Sequence, residues 1–249
     1  MGESDIYAAP AASLSTSKDN GDYGSVERAI AGEYEFSIGA TLSEAWQRVS
    51  GRKMVMFLAF LVYFAAYVGV SLVAGVVGGI LGVFAGETAS QFISFLISIV
   101  TMLAFIPMNA GFLMLGVKGS VDQPLDVSSV FSYFDKSLNL IVAMFIMYVL
   151  VFIGFMLFIL PGIYLMVAYA LVIPLIADKG LGPWEALEAS RKAISKRWFS
   201  VFGLLLIIGV LSIIATIPLA IGMIWVGPLC VLSLGVMYRN MFGVEGPAA

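Results

Sequence analysis

The chain has 249 residues, of which 61% are hydrophobic and 12% charged, with a net charge of -3 and a mean hydropathy of +1.01. A soluble domain carries about a quarter charged residues, so too few remain to cover a globular surface, and a lipid-facing surface removes the shortfall. The absence of histidine excludes Ser-His-Asp triads and His-ligated metals, the lone Cys230 excludes an intramolecular disulfide, and no basic-aromatic stripe points to nucleic acid.

Residues 1–38 are rich in Ser, Gly, Ala and acid and lack a basic stretch followed by an apolar core. They read as a disordered cytoplasmic tail without a signal peptide. Four apolar blocks follow: Met54 to Gly86, Phe92 to Val117, Leu140 to Ala177 and Phe199 to Tyr238. A span needs about 20 apolar residues, so the first two blocks hold one span each. As single helices the last two would be about 60 Å long, twice the hydrocarbon core. Each therefore reads as a hairpin, turning at Pro161-Gly162 and around Thr216 to Pro218.

The expected fold class is all-α, a polytopic transmembrane helical bundle of about six spans. The spans fall near 54–78, 92–117, 140–160, 163–177, 199–216 and 218–238, within a domain 39–240 and ahead of a short cytoplasmic tail 241–249. The fourth span is short and contains Pro174, so it crosses fully or re-enters. Charge gives an independent check. With the N-terminus inside, all 13 Lys and Arg flank the inner side, and the outer loops hold only Glu87. Short inner loops carry such an excess. Both termini are therefore expected in the cytoplasm.

Each inner segment ahead of a hairpin reads as an amphipathic interfacial helix, giving three copies of interfacial helix plus hairpin. The first is Thr41 to Val49, with Thr41 and Glu44 at capping-box spacing. The second begins at Asp126, a helix-capping residue, with Val130, Phe131 and Phe134 on one side. The third begins at Gly182-Pro183-Trp184, where Pro183 suits a first helical turn.

No Asp, Glu, Lys or Arg lies inside a predicted span. Ion-coupled carriers use such residues, so a proton-driven carrier and an intramembrane catalytic centre are both disfavoured. No catalytic, cofactor or metal site is expected. Three other groups stand out. Ser71, Gly75 and Gly79, with Gly78, Gly82 and Gly86, form a ladder at spacings of four. Small residues at this spacing let helices approach closely. The ladder is a self-association face, a pore lining, or packing within the chain. Pro107, Asn109, Tyr164, Tyr169 and Pro174 are candidates for a polar, kinked intramembrane site. Arg191, Lys192, Lys196, Arg197 and Trp198 are candidates for lipid-headgroup contact. Glu185 and Glu188 precede Arg191 and Lys192 at helical spacing, which also fits a self-paired solvated face.

Leu160-Pro161-Gly162-Ile163-Tyr164-Leu165, Tyr169, Pro174, Ala177-Asp178, Glu185-Ala186-Leu187, Ser190 and Arg197-Trp198 resemble a group of uncharacterised bacterial inner-membrane proteins. That group is similar to the membrane domain attached to some glycerophosphodiester phosphodiesterases. The resemblance covers roughly residues 138–240 and implies a six-span helical domain in the bacterial inner membrane. It supplies no activity, and the soluble hydrolase domain has no counterpart here. The expectation is a non-enzymatic membrane protein with lipid or protein contacts that self-associates as a homo-oligomer. The alternatives are a channel or facilitator, and an enzyme acting on headgroups through the inner-loop acids.

Overall fold

The computed structural model describes residues 23–217 and 221–245. All regular structure among them is helical. In lipid each backbone amide needs an internal partner, which favours helices wherever the sequence stays apolar.

Within the expected tail 1–38, residues 23–38 include a short helix and buried side chains. Helix α1, Val26–Ala31, is capped by the Ser25 hydroxyl and closed by Gly32 at φ +88. Ala29, Tyr34 and Phe36 are buried. Residues 1–22 lie outside the described residues.

Helix α2, Ile38–Ala85, runs 48 residues, and α3, Glu87–Ser120, runs 34. At about 1.5 Å per residue they are about 72 and 51 Å long. Gly86 alone joins them, at φ +80 and ψ 167. Only glycine adopts that region readily. Gly86 is therefore the hairpin turn and not a rung of a packing ladder. The first predicted interfacial helix is a continuation of α2, because no proline or left-handed residue breaks the chain between Val49 and Met54. Ser37 is the N-cap, so Thr41 and Glu44 lie inside the helix and form no capping box.

The second predicted interfacial helix becomes two short 3-10 segments, Val127–Phe131 and Phe134–Lys136. Asp126 does cap the first, accepting from the Ser128 amide at 3.1 Å. Helix α4, Ser137–Leu157, is 21 residues long, about the thickness of the hydrocarbon core. The next turn falls at the extended residue Phe158, not at Pro161-Gly162. Those two residues sit in the first turn of α5, Ile159–Ala168, where a proline costs no hydrogen bond. A Cβ at Gly154 would come 3.0 Å from the Gly162 Cα, so glycine lets the two arms touch.

Helix α6, Val172–Lys179, continues the crossing after a break at Tyr169–Leu171. The broken backbone is satisfied by buried Ser190, whose hydroxyl donates to the Ala168 carbonyl at 2.7 Å and accepts from the Leu171 amide at 3.4 Å. Ser190 comes from α7, Pro183–Ser195, the one predicted interfacial helix that forms as a separate helix. Three equivalent repeats are therefore not formed. Helix α8 covers Trp198–Thr216, and α9 covers Met223–Phe242.

Five helical stretches are long and apolar enough to cross a membrane: Ile38–Phe84, Thr88–Ser120, Val127–Leu157, Ile159–Lys179 and Trp198–Thr216. The chain is a multi-pass helical membrane bundle. Helix α9, the sixth predicted span, falls outside this set because its last turns contain Tyr238, Arg239 and Asn240. It is nevertheless well buried, crossing α3 closely enough that a Cβ at Gly235 would overlap the Gly116 carbonyl.

Two positions test this packing. Gly235→Leu is expected to force α3 and α9 apart and cost about 1–3 kcal/mol or more. A Cβ at Gly75 meets nothing within 4 Å, so Gly75→Leu, whose side chain extends into open space, is expected to leave stability nearly unchanged. Thermal unfolding of the two variants in the same detergent checks the contrast.

Candidate functional site

Two places gather polar groups: a groove between α2 and α3, and a charge cluster at the end of the bundle where α3 and α9 finish.

The groove has a volume of about 480 Å³ and is open on one side. Along α2 its wall is Tyr63, Tyr67, Ser71, Ala74, Gly75 and Gly78. These fall at helical spacings of three and four, so they form one face. From Tyr63 to Gly78 that face runs about 22 Å, most of the hydrocarbon depth. Along α3 the wall includes Ser94, Ser98, Thr101, Phe105 and Asn109, again on one face. Met144 and Tyr148 of α4 and Ile173 of α6 close the far side. The lining holds hydroxyls, one amide, aromatics and aliphatics, and no charged side chain.

Asn109 lies about 13 Å along α3 from Lys118, near the centre of a core about 30 Å thick. It is exposed to the groove. Its amide offers several donor and acceptor positions, and the Tyr63 phenol is its polar neighbour. The Ser98 hydroxyl turns back onto the Ser94 carbonyl at 2.8 Å. Polar groups in hydrocarbon demand partners, so this wall presents unfilled hydrogen-bonding capacity at membrane depth.

The glycine ladder divides. Gly78 packs by Ile97 and Ser94, and Gly82 packs tightly on Ser90, so both serve the α2–α3 contact. Ser71 and Gly75 line the groove together with Gly78. Gly79 faces open space. The proposed polar, kinked site also divides. Only Asn109 reaches the groove. Pro107 is buried inside α3, and Pro174 is buried in α6 next to the lining residue Ile173. Tyr169 is buried at the α5–α6 break. Tyr164 sits at the bundle's end, its hydroxyl 2.5 Å from Ser195 and its carbonyl accepting from the Trp198 indole at 3.2 Å. The five residues therefore do not form one site, because they face different neighbours. Tyr63, Tyr67, Ser94, Ser98, Thr101 and Tyr148 escaped the sequence reading. The spacing of Ser94, Ser98, Thr101 and Asn109 at four, three and eight was the available signal.

At the other place, Arg239 is buried at 5% exposure and holds Glu44 through two bonds, 2.6 and 2.8 Å. It also donates to the Ser120 carbonyl at 2.6 Å and to Asn240. Its guanidinium lies 4.7 Å from the Tyr23 ring. Arg48 bridges Glu44 and Asp122, at 3.0 and 2.9 Å, and Arg52 joins Asp122. Burial opposes ionisation of Glu44 and Asp122, but the arginines outweigh it and hold both carboxyls below the usual range. Asp178 behaves in the opposite way. Burial pushes its carboxyl up, although Tyr238 donates to it at 2.8 Å and Lys179 lies 3.7 Å away.

The basic residues picked out for headgroup contact also separate. Arg191 and Lys192 both pair with Glu188, at 2.9 and 3.0 Å, as a self-paired helix face. Lys196 lies alongside Gly32. Trp198 stacks on Tyr164 and Phe202. Arg197 covers the Tyr34 ring and lines a pocket beside Glu44. Among the described residues no group of three Cys, Asp or Glu is placed to hold a metal ion.

Comparison of the chain with family models, with curated proteins and with solved structures finds no match. Among the residues that carry the resemblance, Pro161 and Gly162 start α5, Ser190 mends the break after it, and Tyr164 and Trp198 stack.

Removing one partner of a buried ion pair strands the other charge. Glu44→Gln or Arg239→Met is expected to cost about 2–4 kcal/mol, less than a fully buried pair because Glu44 is partly exposed. The double variant should cost less than the sum. Because Glu44 and Asp122 have lowered folded pKa values, their contribution is complete above the ordinary carboxylate range near about pH 4. It disappears as pH falls through the lower folded values. Unfolding of the wild type and of Glu44→Gln across pH 3–7 in detergent checks this, the variant showing a shallower acid limb.

Proposed function

We propose that the protein is a non-enzymatic integral membrane protein that holds a lipid or another uncharged amphiphile in the groove between α2, α3, α4 and α6. One observation carries this reading: a charge-free wall of hydroxyls and an amide, about 22 Å long and open on one side, built on helices long and apolar enough to cross a membrane. An aliphatic chain fits its Ala74, Gly75 and Met144 surface, and a hydroxyl, ester or amide on the ligand supplies partners for Asn109, Ser98 and Thr101. The volume is within the usual range for small-molecule sites.

The placement of Lys and Arg supports both termini in the cytoplasm, and the resemblance supports a bacterial inner membrane. Self-association belongs to the same proposal. Gly79 faces open space on α2, whose outer length exposes Val83 and Phe84, and a second copy packed there would cover them.

Asn109→Leu is expected to weaken retention of co-purified amphiphile about 3- to 30-fold, the range of an intramembrane hydrogen bond. Gly75→Leu is expected to abolish it by filling the groove. Native mass spectrometry with lipid retained reads both effects, and the same spectra read the oligomer. Wild-type protein free of any bound amphiphile would overturn the assignment. The length of the groove also favours a facilitator. In that case liposomes containing the protein pass a small uncharged solute, and Gly75→Leu blocks it.

A further inference from the structure

A second pocket, of about 370 Å³, lies at the basic end and shares no residue with the groove. Its walls include Glu35, Ser37, Thr41, Glu44, Arg197 and Asn240. Four observations converge on its chemistry.

Thr41 is 2% exposed, lines this pocket, and its Oγ1 has no hydrogen-bond partner among the described residues. A buried hydroxyl without a partner is costly, and a turn about χ1 toward the pocket would let a ligand oxygen supply one. Thr41 stands in the first turn of α2, a 48-residue helix whose N-cap Ser37 makes no side-chain cap bond. The Thr41 amide reaches the Ser37 carbonyl. The amides ahead of it are the free donors at the positive end of the helix.

Asn240 supplies another donor. Its Oδ1 accepts from Arg239 at 3.1 and 2.9 Å, which leaves its NH2 as the end available to the pocket. The Arg197 guanidinium is held over the Tyr34 ring, 5.9 Å from its centroid. Tyr34 is itself pinned, its hydroxyl donating to the Ala193 carbonyl at 2.8 Å. Thr41, Asn240, Arg197 and the start of α2 thus form a donor set suited to a phosphate.

The charge balance then selects among phosphates. Glu44 is matched by Arg239 and Arg48. That leaves Arg197 and Glu35 as the cation and the anion without an ion-pair partner among the described residues of the pocket. A ligand with one negative and one positive group matches both, whereas a purely anionic phosphate leaves Glu35 facing like charge. The depth is suitable as well. A Cβ at Gly203, within the first two turns of α8, would meet Ile38 at 3.0 Å. The start of α2 therefore lies at the depth where α8 begins, beside exposed Phe199.

We propose that this pocket binds a phosphoethanolamine-type group, its phosphate on Arg197, Thr41, Asn240 and the start of α2, and its ammonium on Glu35. Such a group is the headgroup of a zwitterionic phospholipid, and it also exists as a soluble phosphoester.

The test uses the full chain in nanodiscs of phosphatidylethanolamine or of phosphatidylglycerol, with native mass spectrometry reading retained lipid. A parallel arm titrates soluble phosphoethanolamine by calorimetry. Wild type is expected to retain the ethanolamine lipid in preference to the glycerol lipid. Arg197→Gln should reduce retention about tenfold or more, as loss of a charged hydrogen bond does. Glu35→Gln should erase the preference while keeping phosphate binding. Thr41→Val should raise the melting temperature of lipid-free protein, by removing a stranded hydroxyl, and yet weaken binding; a purely structural hydroxyl gives only the first effect. Binding of soluble phosphoethanolamine with the same variant pattern, without lipid retention, assigns the site to a soluble phosphoester. Gly75→Leu, which fills only the groove, should leave this pocket's binding intact, so failure of one site is distinguishable from failure of the other. Equal retention of the two lipids by wild type together with no phosphoethanolamine binding overturns the proposal, as does indifference to both Arg197→Gln and Glu35→Gln in folded protein.

Discussion

The bundle depends on one buried cation. Arg239 sits at the end of α9 and binds Glu44 on α2 and the Ser120 carbonyl at the end of α3. A guanidinium at 5% exposure is tolerable only when its donors are occupied. Satisfying it fixes three helix ends at one depth. Asp122, pulled in by Arg48 and Arg52, extends the same knot onto the loop after α3. The glycines at 116 and 235 then let α3 and α9 touch along their length.

This arrangement explains why a groove exists. Helices α2 and α3 are held firmly at the basic end, joined at Gly86, and in contact again where Gly78 and Gly82 meet Ser94 and Ser90. Between these points, small residues on both helices give up volume. Some of that volume is taken by direct contact, as at Gly82 and Ser90, and the rest stays open around Gly75. The crossing made by α5 and α6 has the reverse character. It is interrupted, but Ser190 repairs the interruption and the surroundings are tightly packed. A broken helix at membrane depth is stable when another part of the protein completes its hydrogen bonds.

The helical membrane architecture was legible in the sequence because hydropathy alone determines it. The runs from Met54, Phe92, Leu140 and Phe199 all become membrane-length helices. Local turn chemistry was legible in part. Asp126 and Pro183 act as their types suggest, whereas Glu185, which reads as part of a self-paired face, instead accepts from the Gly182 amide. Pro161-Gly162 does not, because a proline also fits the first turn of a helix, and Phe158 turns the chain first. Arg239 read as an ordinary flanking charge, since nothing local indicates a partner 195 residues away. The groove was half legible. Small residues on α2 drew notice, but the matching polar face of α3 was diluted by intervening Phe, Leu and Ile. Burial of Tyr34 and Phe36 was hidden by the acidic, Ser-rich composition around them.

The pairing of Glu44 with Arg239 also bears on how the protein is made. The two partners are 195 residues apart, with Glu44 near the start and Arg239 near the end. At about 5–20 residues per second, about 10–40 s pass between their syntheses. During that interval α2 and α3 are already inserted, yet their lower ends lack the group that joins them. A ribosome that stalls before α9 leaves a chain with every earlier helix and no closure. In such a truncated copy Glu44 keeps only Arg48, and the Ser120 carbonyl at the end of α3 lacks the guanidinium that ties it to α2.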